Sequence, residues 1–192
     1  MKKSLLAAAI VISLSLSTNA LAQKHTFAVD PSASNIAFSL SGTGHDVEGT
    51  FHVTSGEIHF DPSSHSLSGS IVVSAASGQS GNDSRDKKMH NDVLDVSHFA
   101  DVTFQPQSYQ GTIAPSGDSS IQVSGQFTLH GTPHPITVPM QLHIDAGKIT
   151  AKGSFMVPYV KWGLKNPSIF ILKVAKEVKI DLNLAGTDTV GK

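Results

Sequence analysis

The chain of 192 residues contains no cysteine. That absence excludes disulfide staples, thiolate metal sites and cysteine nucleophiles together, and it leaves stability to ordinary burial. Excess positive charge is missing too, with 14 basic against 15 acidic residues. The basic footprint of a nucleic-acid binder is therefore absent. No Gly-x-Ser-x-Gly elbow anchors acyl-transfer chemistry. The glycine-rich "SGTG" and "SGQSG" lack the Lys-Ser/Thr that completes a phosphate loop, and they read as turns. Ten histidines are present, yet none falls in an HxH or HExxH spacing. With no nucleophile paired to a base, catalysis has no anchor, and no catalytic residue, resident cofactor or metal is expected.

The longest apolar run is "LLAAAIVISLSLS", too short to span a bilayer. It follows Lys2 and Lys3 and precedes Ala20-Leu21-Ala22, the small-x-small pattern of a signal-peptidase site. Residues 1–22 are read as a cleaved signal peptide, with the mature chain starting at Gln23. No cysteine follows the cut, so a lipid-anchored form is excluded, and a soluble periplasmic protein is expected. Removing 22 of 192 residues leaves 170, enough for one domain with a sizeable core. The cut also removes two lysines and leaves 12 basic residues against 15 acidic ones, a formal charge of −3.

What the mature chain has in quantity is period-two alternation. Ile36, Phe38 and Leu40 share a face, as do Val47, Phe51 and Val53, then Ile58 and Phe60. Longer stretches follow: Ile121, Val123, Phe127 and Leu129; Ile136 through Ile144; Ile149, Ala151, Phe155 and Val157; Val178 through Leu184. Each reads as an antiparallel strand, wet on one face and apolar on the other. Gly, Pro, Asp and Ser clusters such as "DPSSHS", "APSGDSS" and "HGTPHP" separate them. About eight strands without a βαβ rhythm, repeat or linker predict one all-β domain over residues 23–192, a sandwich or closed barrel. "VTSGEIHF" reads as a hairpin centred on Ser55-Gly56, with Phe51 facing Phe60 and His52 facing His59 on the wet side.

One short helix is expected at about 83–93, inserted between strands and capped by Asn82, Asp83 or Ser84. Asp86 sits in its first turn, where the dipole favours negative charge. Met89 and Val93, four apart, form its apolar side. Arg85, next to Asp86, is read as reaching a carboxylate or carbonyl on the rim of the barrel. The charges of "GNDSRDKKMHND" thus serve a lid in preference to a catalytic centre.

Four segments, in this order, resemble the YceI-like proteins: "TFAVDPSASNIAFSL", "GHDVEGTFHVTSGEIHFDP", "SGNDSRDKKMHNDVLDVSHFADVTF" and "VSGQFTLHGTPHPITVPMQLHI". The resemblance covers nearly all of the mature chain. It implies an elongated lipocalin-like antiparallel barrel with an apolar cavity for a polyisoprenoid chain, either a polyprenyl lipid or an isoprenoid quinone. It further implies an exported protein, in some members induced by stress and in some dimeric, with no established catalysis. The sequence departs from the family pattern in two places. "VPYVKWGLKNPSIF" keeps Gly163 but has Lys161 and Trp162 where an Arg-Asp-Phe run is usual, and Pro133 and His134 replace a threonine and a basic residue.

On that resemblance the expected cavity wall is Phe38, Phe51, Phe60, Phe104, Phe127, Met140, Phe155 and Trp162, with Arg85, Asp86 and Met89 at the rim. The apolar faces alone fit a solid barrel equally well. The inward small residues Gly49, Gly125, Ala151 and Gly153 mark either space or sharp bends. Two other functional readings stand beside lipid binding: a solid-barrel interaction module, and a metal- or pH-responsive stress protein using His52 and His59.

Overall fold

The structure, a computed structural model, describes residues 24–169, 171 and 173–190. The expected signal peptide and cleavage site lie outside the described residues. Ten strands follow one another: β1 (His25–Val29), β2 (Asn35–Gly42), β3 (His45–Phe51), β4 (Val53–Asp61), β5 (Ser66–Ser74), β6 (Asp101–Gly111), β7 (Gly117–Leu129), β8 (Thr132–Asp145), β9 (Lys148–Val157) and β10 (Val178–Val190). Their hydrogen-bonded order is β1-β4-β5-β6-β7-β8-β9-β10-β2-β3, and β1 pairs back onto β10. β3 ends the order, paired with β2 and bridged on its other side to Gln79 at Thr50.

The ten segments make eight barrel strands. β2 lies along Lys179–Asn183 of β10 and β1 along Gly186–Val190, so β1 and β2 are halves of one strand. Asp30-Pro31 makes the joint. Proline fixes φ and donates no ladder hydrogen bond. The Asp30 carboxylate accepts from Ser32 N at 2.9 Å and Ala33 N at 3.4 Å, capping the single 3-10 turn Pro31–Ala33. β3 and β4 are likewise halves of one strand, broken only at His52.

That continuity corrects the expected hairpin at Ser55-Gly56. β4 runs straight through those residues, pairing with β5 in the register Val53↔Val73, Ser55↔Val72, Gly56↔Ile71. The extra residue between Val53 and Ser55 is a β-bulge. A bulge shifts the inward parity by one, taking it from odd (Phe51, Val53) to even (Ile58, Phe60), as a two-residue turn would. The real reversal is at Thr43-Gly44, where Gly42 pairs with His45 and Gly44 has φ +88°. His59 is therefore opposite Thr26 and Ser68, and the imidazoles of His52 and His59 are not cross-strand neighbours.

The barrel is solid at one end and hollow at the other. Phe27, Val29, Ile58, Phe60, Tyr109, Ile121, Val123, Met140, Ile144 and Ile149 pack into one buried cluster. A second cluster of Leu129, Val157, Tyr159 and Leu164 lies toward the opposite end, with Trp162 and Phe127 packed against it. Two of the inward glycines are sites of close approach. A Cβ on Gly49 would meet the Gln79 carbonyl oxygen at 2.2 Å and the Phe38 ring at 2.4 Å; one on Gly153 would meet Met140 Sδ at 2.3 Å. They admit neighbours and do not hold space open.

Candidate functional site

Between the second cluster and the packed floor lies an apolar cavity of about 510 Å³. That size is ordinary for a small-molecule site. Val138 and Leu184, each 2% exposed, belong both to the packed core and to the cavity lining, so they form its floor. Around the wall stand Phe38, Phe51, Phe104, Phe127 and Phe155, with aliphatic side chains between them. Phe38 and Phe51 meet at 5.3 Å between ring centroids, and Phe127 meets Phe155 edge to face at 5.5 Å.

Three of the expected wall residues lie elsewhere. Phe60 stacks on His25 at 4.8 Å in the solid end. Met140 fills the space above Gly153 in the same core. Trp162 lies outside the lining, flat on His134 at 3.9 Å with an interplanar angle of 4°, and 6.0 Å from the Phe127 ring. The two departures from the family pattern thus meet face to face beside the cavity wall. Strand alternation places a residue on the inner face but does not say at which depth, which is why Phe60 and Met140 were not separable from the other inward residues.

A helix covers the mouth. α1 (Asp83–Lys88) is capped by the Asn82 side chain, which accepts from Arg85 N at 2.9 Å. It widens into a π-helical turn, Met89–Leu94, that ends where Asp95 takes a left-handed φ of +48°. Met89, Val93 and Leu94 face the cavity. Arg85, the chain's only arginine, also borders the mouth, but it donates through Nε to Ser80 Oγ at 2.7 Å and through Nη2 to the Ser80 carbonyl at 2.7 Å. Asp86 does not border the cavity; it accepts from Ser80 N at 2.9 Å and from the Ser80 hydroxyl. Arg85 and Asp86 therefore clamp one serine from both sides, and the clamp fixes where the helix begins.

A second cover escaped the sequence reading: the strap of residues 158–177 between β9 and β10. Its described residues form no helix or strand, and the segment carries no periodicity to read. Its root is buried through Tyr159 and Leu164, and the Tyr159 hydroxyl donates to the Ala175 carbonyl at 2.7 Å. Lys173 and Ala175 bind the β2–β3 turn, with Thr43 N to Lys173 O at 2.9 Å and Ala175 N to Ser41 O at 2.8 Å. Lys88 Nζ donates to the Pro167 carbonyl at 3.2 Å, joining helix and strap across the mouth.

The histidines do not converge. His52, His59 and His143 are exposed on the wet face, and His143 Nδ1 meets Asp118 at 2.7 Å. His130 packs tilted against Phe99 at 4.0 Å, away from the partner of His134. Among the described residues no three His, Asp or Glu side chains are grouped to hold a metal ion. Hydrogen bonds from the Ser32 hydroxyl and then its N–H hold the Asp30 carboxyl below its ordinary value, and burial pushes the Tyr109 and Tyr159 hydroxyls up.

Comparison with known proteins agrees with this geometry. The family model described as "YceI-like domain" matches residues 27–185. A UPF0312 protein of Vibrio parahaemolyticus is 30% identical over 150 residues, 77% of each chain. Among solved structures, BcnA of Burkholderia cenocepacia superposes with a TM-score of 0.68 at 22% identity, over 83% of this chain and 99% of that one. A polyisoprenoid binding domain from Saccharophagus degradans, implicated in plant cell wall breakdown, superposes with a TM-score of 0.63 at 16% identity, over 84% of this chain and 98% of that one.

Proposed function

The chain belongs to the YceI-like family, and from that premise we propose that it is an exported, non-catalytic carrier or store for one isoprenoid lipid, a polyprenyl chain or the tail of an isoprenoid quinone. The observation that carries this reading is the 510 Å³ apolar cavity at one end of an otherwise packed barrel. A solid interaction module has no use for that space. The polyisoprenoid binding domain of Saccharophagus degradans, alike in fold, supports the same ligand class.

Binding by such a cavity needs no directional chemistry. Burial is worth about 0.8 kcal/mol per CH₂, so a five-carbon isoprene unit contributes roughly 3–4 kcal/mol before chain ordering is subtracted. A few units therefore reach tight binding without a polar contact. Two of the cations that border the cavity are already engaged, Arg85 on Ser80 and Lys88 on Pro167. Selectivity then follows chain length and branching more than head group.

Trp162 provides the assay. As the only tryptophan, 6.0 Å from a wall phenylalanine, it reports cavity occupancy through its fluorescence. Titration with quinones of one head group and increasing tail length is expected to quench Trp162 with an affinity that climbs with tail length until the cavity is full. Affinity independent of tail length would contradict the proposal.

A further inference from the structure

The strap that closes the mouth carries a surface unlike the rest of the protein. Ile171 is 72% exposed and Ile169 is 53% exposed, two of the most exposed large apolar side chains in the described barrel. Ile169 also borders the cavity, as do its neighbours Pro167, Lys173 and Val174. An apolar path therefore runs from the outer surface of the strap directly into the site. Exposed apolar side chains of this kind mark a contact surface.

The charge along the strap is predominantly basic. Between residues 158 and 177 lie Lys161, Lys165, Lys173 and Lys176 against a single acid, Glu177. All four lysines are exposed. Only Lys165 has a carboxylate within 4.0 Å among the described residues, Asp92 at 3.9 Å. Lys88 of α1 borders the mouth from the helix side and is bonded to the Pro167 carbonyl. In a chain expected to be net acidic once processed, four of its basic residues are gathered on one strap that also presents isoleucine to solvent.

We infer that the strap tip is a docking surface for an anionic lipid bilayer, with Ile169 and Ile171 entering the interface and Lys161, Lys165, Lys173 and Lys176 meeting the head groups. Exposed apolar side chains together with exposed lysines on one segment are what such a surface selects. A protein partner would equally cover the isoleucines, but the four exposed lysines of the same strap and the cavity border at Ile169 favour lipid. Docking there sets the cavity mouth against the bilayer, so a water-insoluble chain need not cross water to enter. The idea extends the isoprenoid reading, but its test does not depend on it, because the vesicles used contain no isoprenoid.

The experiment is flotation of the mature protein with phosphatidylcholine vesicles containing phosphatidylglycerol, against phosphatidylcholine alone, at low and high salt. Each lysine near an anionic surface is worth roughly a fivefold gain in partitioning, so the four together give a large preference for the anionic vesicles. That preference is expected to collapse at high salt, where the Debye length is about 3 Å at 1 M. Lys161→Gln, Lys165→Gln, Lys173→Gln and Lys176→Gln combined should abolish the preference for anionic lipid. Ile169→Asp with Ile171→Asp should abolish retention. Ile171→Ser alone, at the more exposed position, gives a partial loss should the double change unfold the barrel. Absent retention, equal retention on neutral vesicles, or retention undiminished in the variants would overturn the inference, whether or not Trp162 reports a ligand in the cavity.

Discussion

At the residue scale, two inward side chains that look alike in the sequence have different tasks. Phe127 borders the cavity and Met140 sits in the solid end. Phe127→Asp places a carboxylate where the lipid chain lies, and the quinone titration is expected to show at least about a tenfold loss of affinity. Met140→Ala leaves the cavity wall intact and removes core packing. Denaturant unfolding should show a loss of roughly 2–5 kcal/mol, with ligand affinity kept in the fraction that stays folded. If both variants lost affinity alike, the division of the barrel into floor and cavity would be wrong. Arg85→Ala should alter affinity little, since the guanidinium is committed to Ser80. Gly49 is the reverse case, a position where one methyl group does damage. Its Cβ would lie 2.2 Å from the backbone oxygen of Gln79, so Gly49→Ala is expected to lower stability by about 1–3 kcal/mol in thermal unfolding.

At the element scale, the joints and covers decide the shape. Asp30 caps the turn that divides the first barrel strand, and its carboxyl is held below the ordinary value by Ser32. A lowered folded-state pKa gives stability that is present above the unfolded value of about 4 and is lost as pH falls through the folded one. Asp30→Ala should therefore lower Tm at neutral pH, and the gap from wild type should shrink as pH drops toward 3. Tyr159 behaves oppositely. Its hydroxyl is pushed up by burial, so its contribution is complete below about pH 10 and is lost as pH rises through the folded value. Tyr159→Phe also removes the bond to Ala175, worth about 1 kcal/mol, and loosens the strap root. The expected readouts are a smaller loss of Tm between pH 9 and 11 and faster ligand exchange in stopped-flow.

Elements also show where the sequence was readable. Alternation assigned the faces of seven of the ten strands, because the pleat allows only one parity to meet a core, and left β1, β5 and β6 unread. The β3–β4 strand was misread since a bulge and a tight turn shift that parity identically, and residues 51–60 contain a glycine suited to either. The helix was legible from its Asn82 cap and the Met89–Val93 spacing. The strap was not, because neither period runs through residues 158–177; only its lysines and isoleucines stand out, and they acquire meaning once the structure puts them at the mouth.

At the scale of the whole molecule, the barrel divides its labour along its axis. One end supplies the buried apolar area that holds the fold; the other leaves that area open for a ligand and covers it with a helix and a strap tied together by Lys88 and Pro167. Both ends have the same alternating pattern, so the sequence showed an apolar interior without showing that one end of it is hollow. The departures from the family pattern, His134 and Trp162, stack on each other beside the wall. The central claim is that the hollow end holds an isoprenoid chain. It is tested most directly by native mass spectrometry of the protein purified from the cell that makes it, followed by solvent extraction. The account predicts one isoprenoid lipid per chain, released on denaturation and identified by its mass. A clean unliganded mass, unchanged after incubation with quinones and polyprenols, would contradict it.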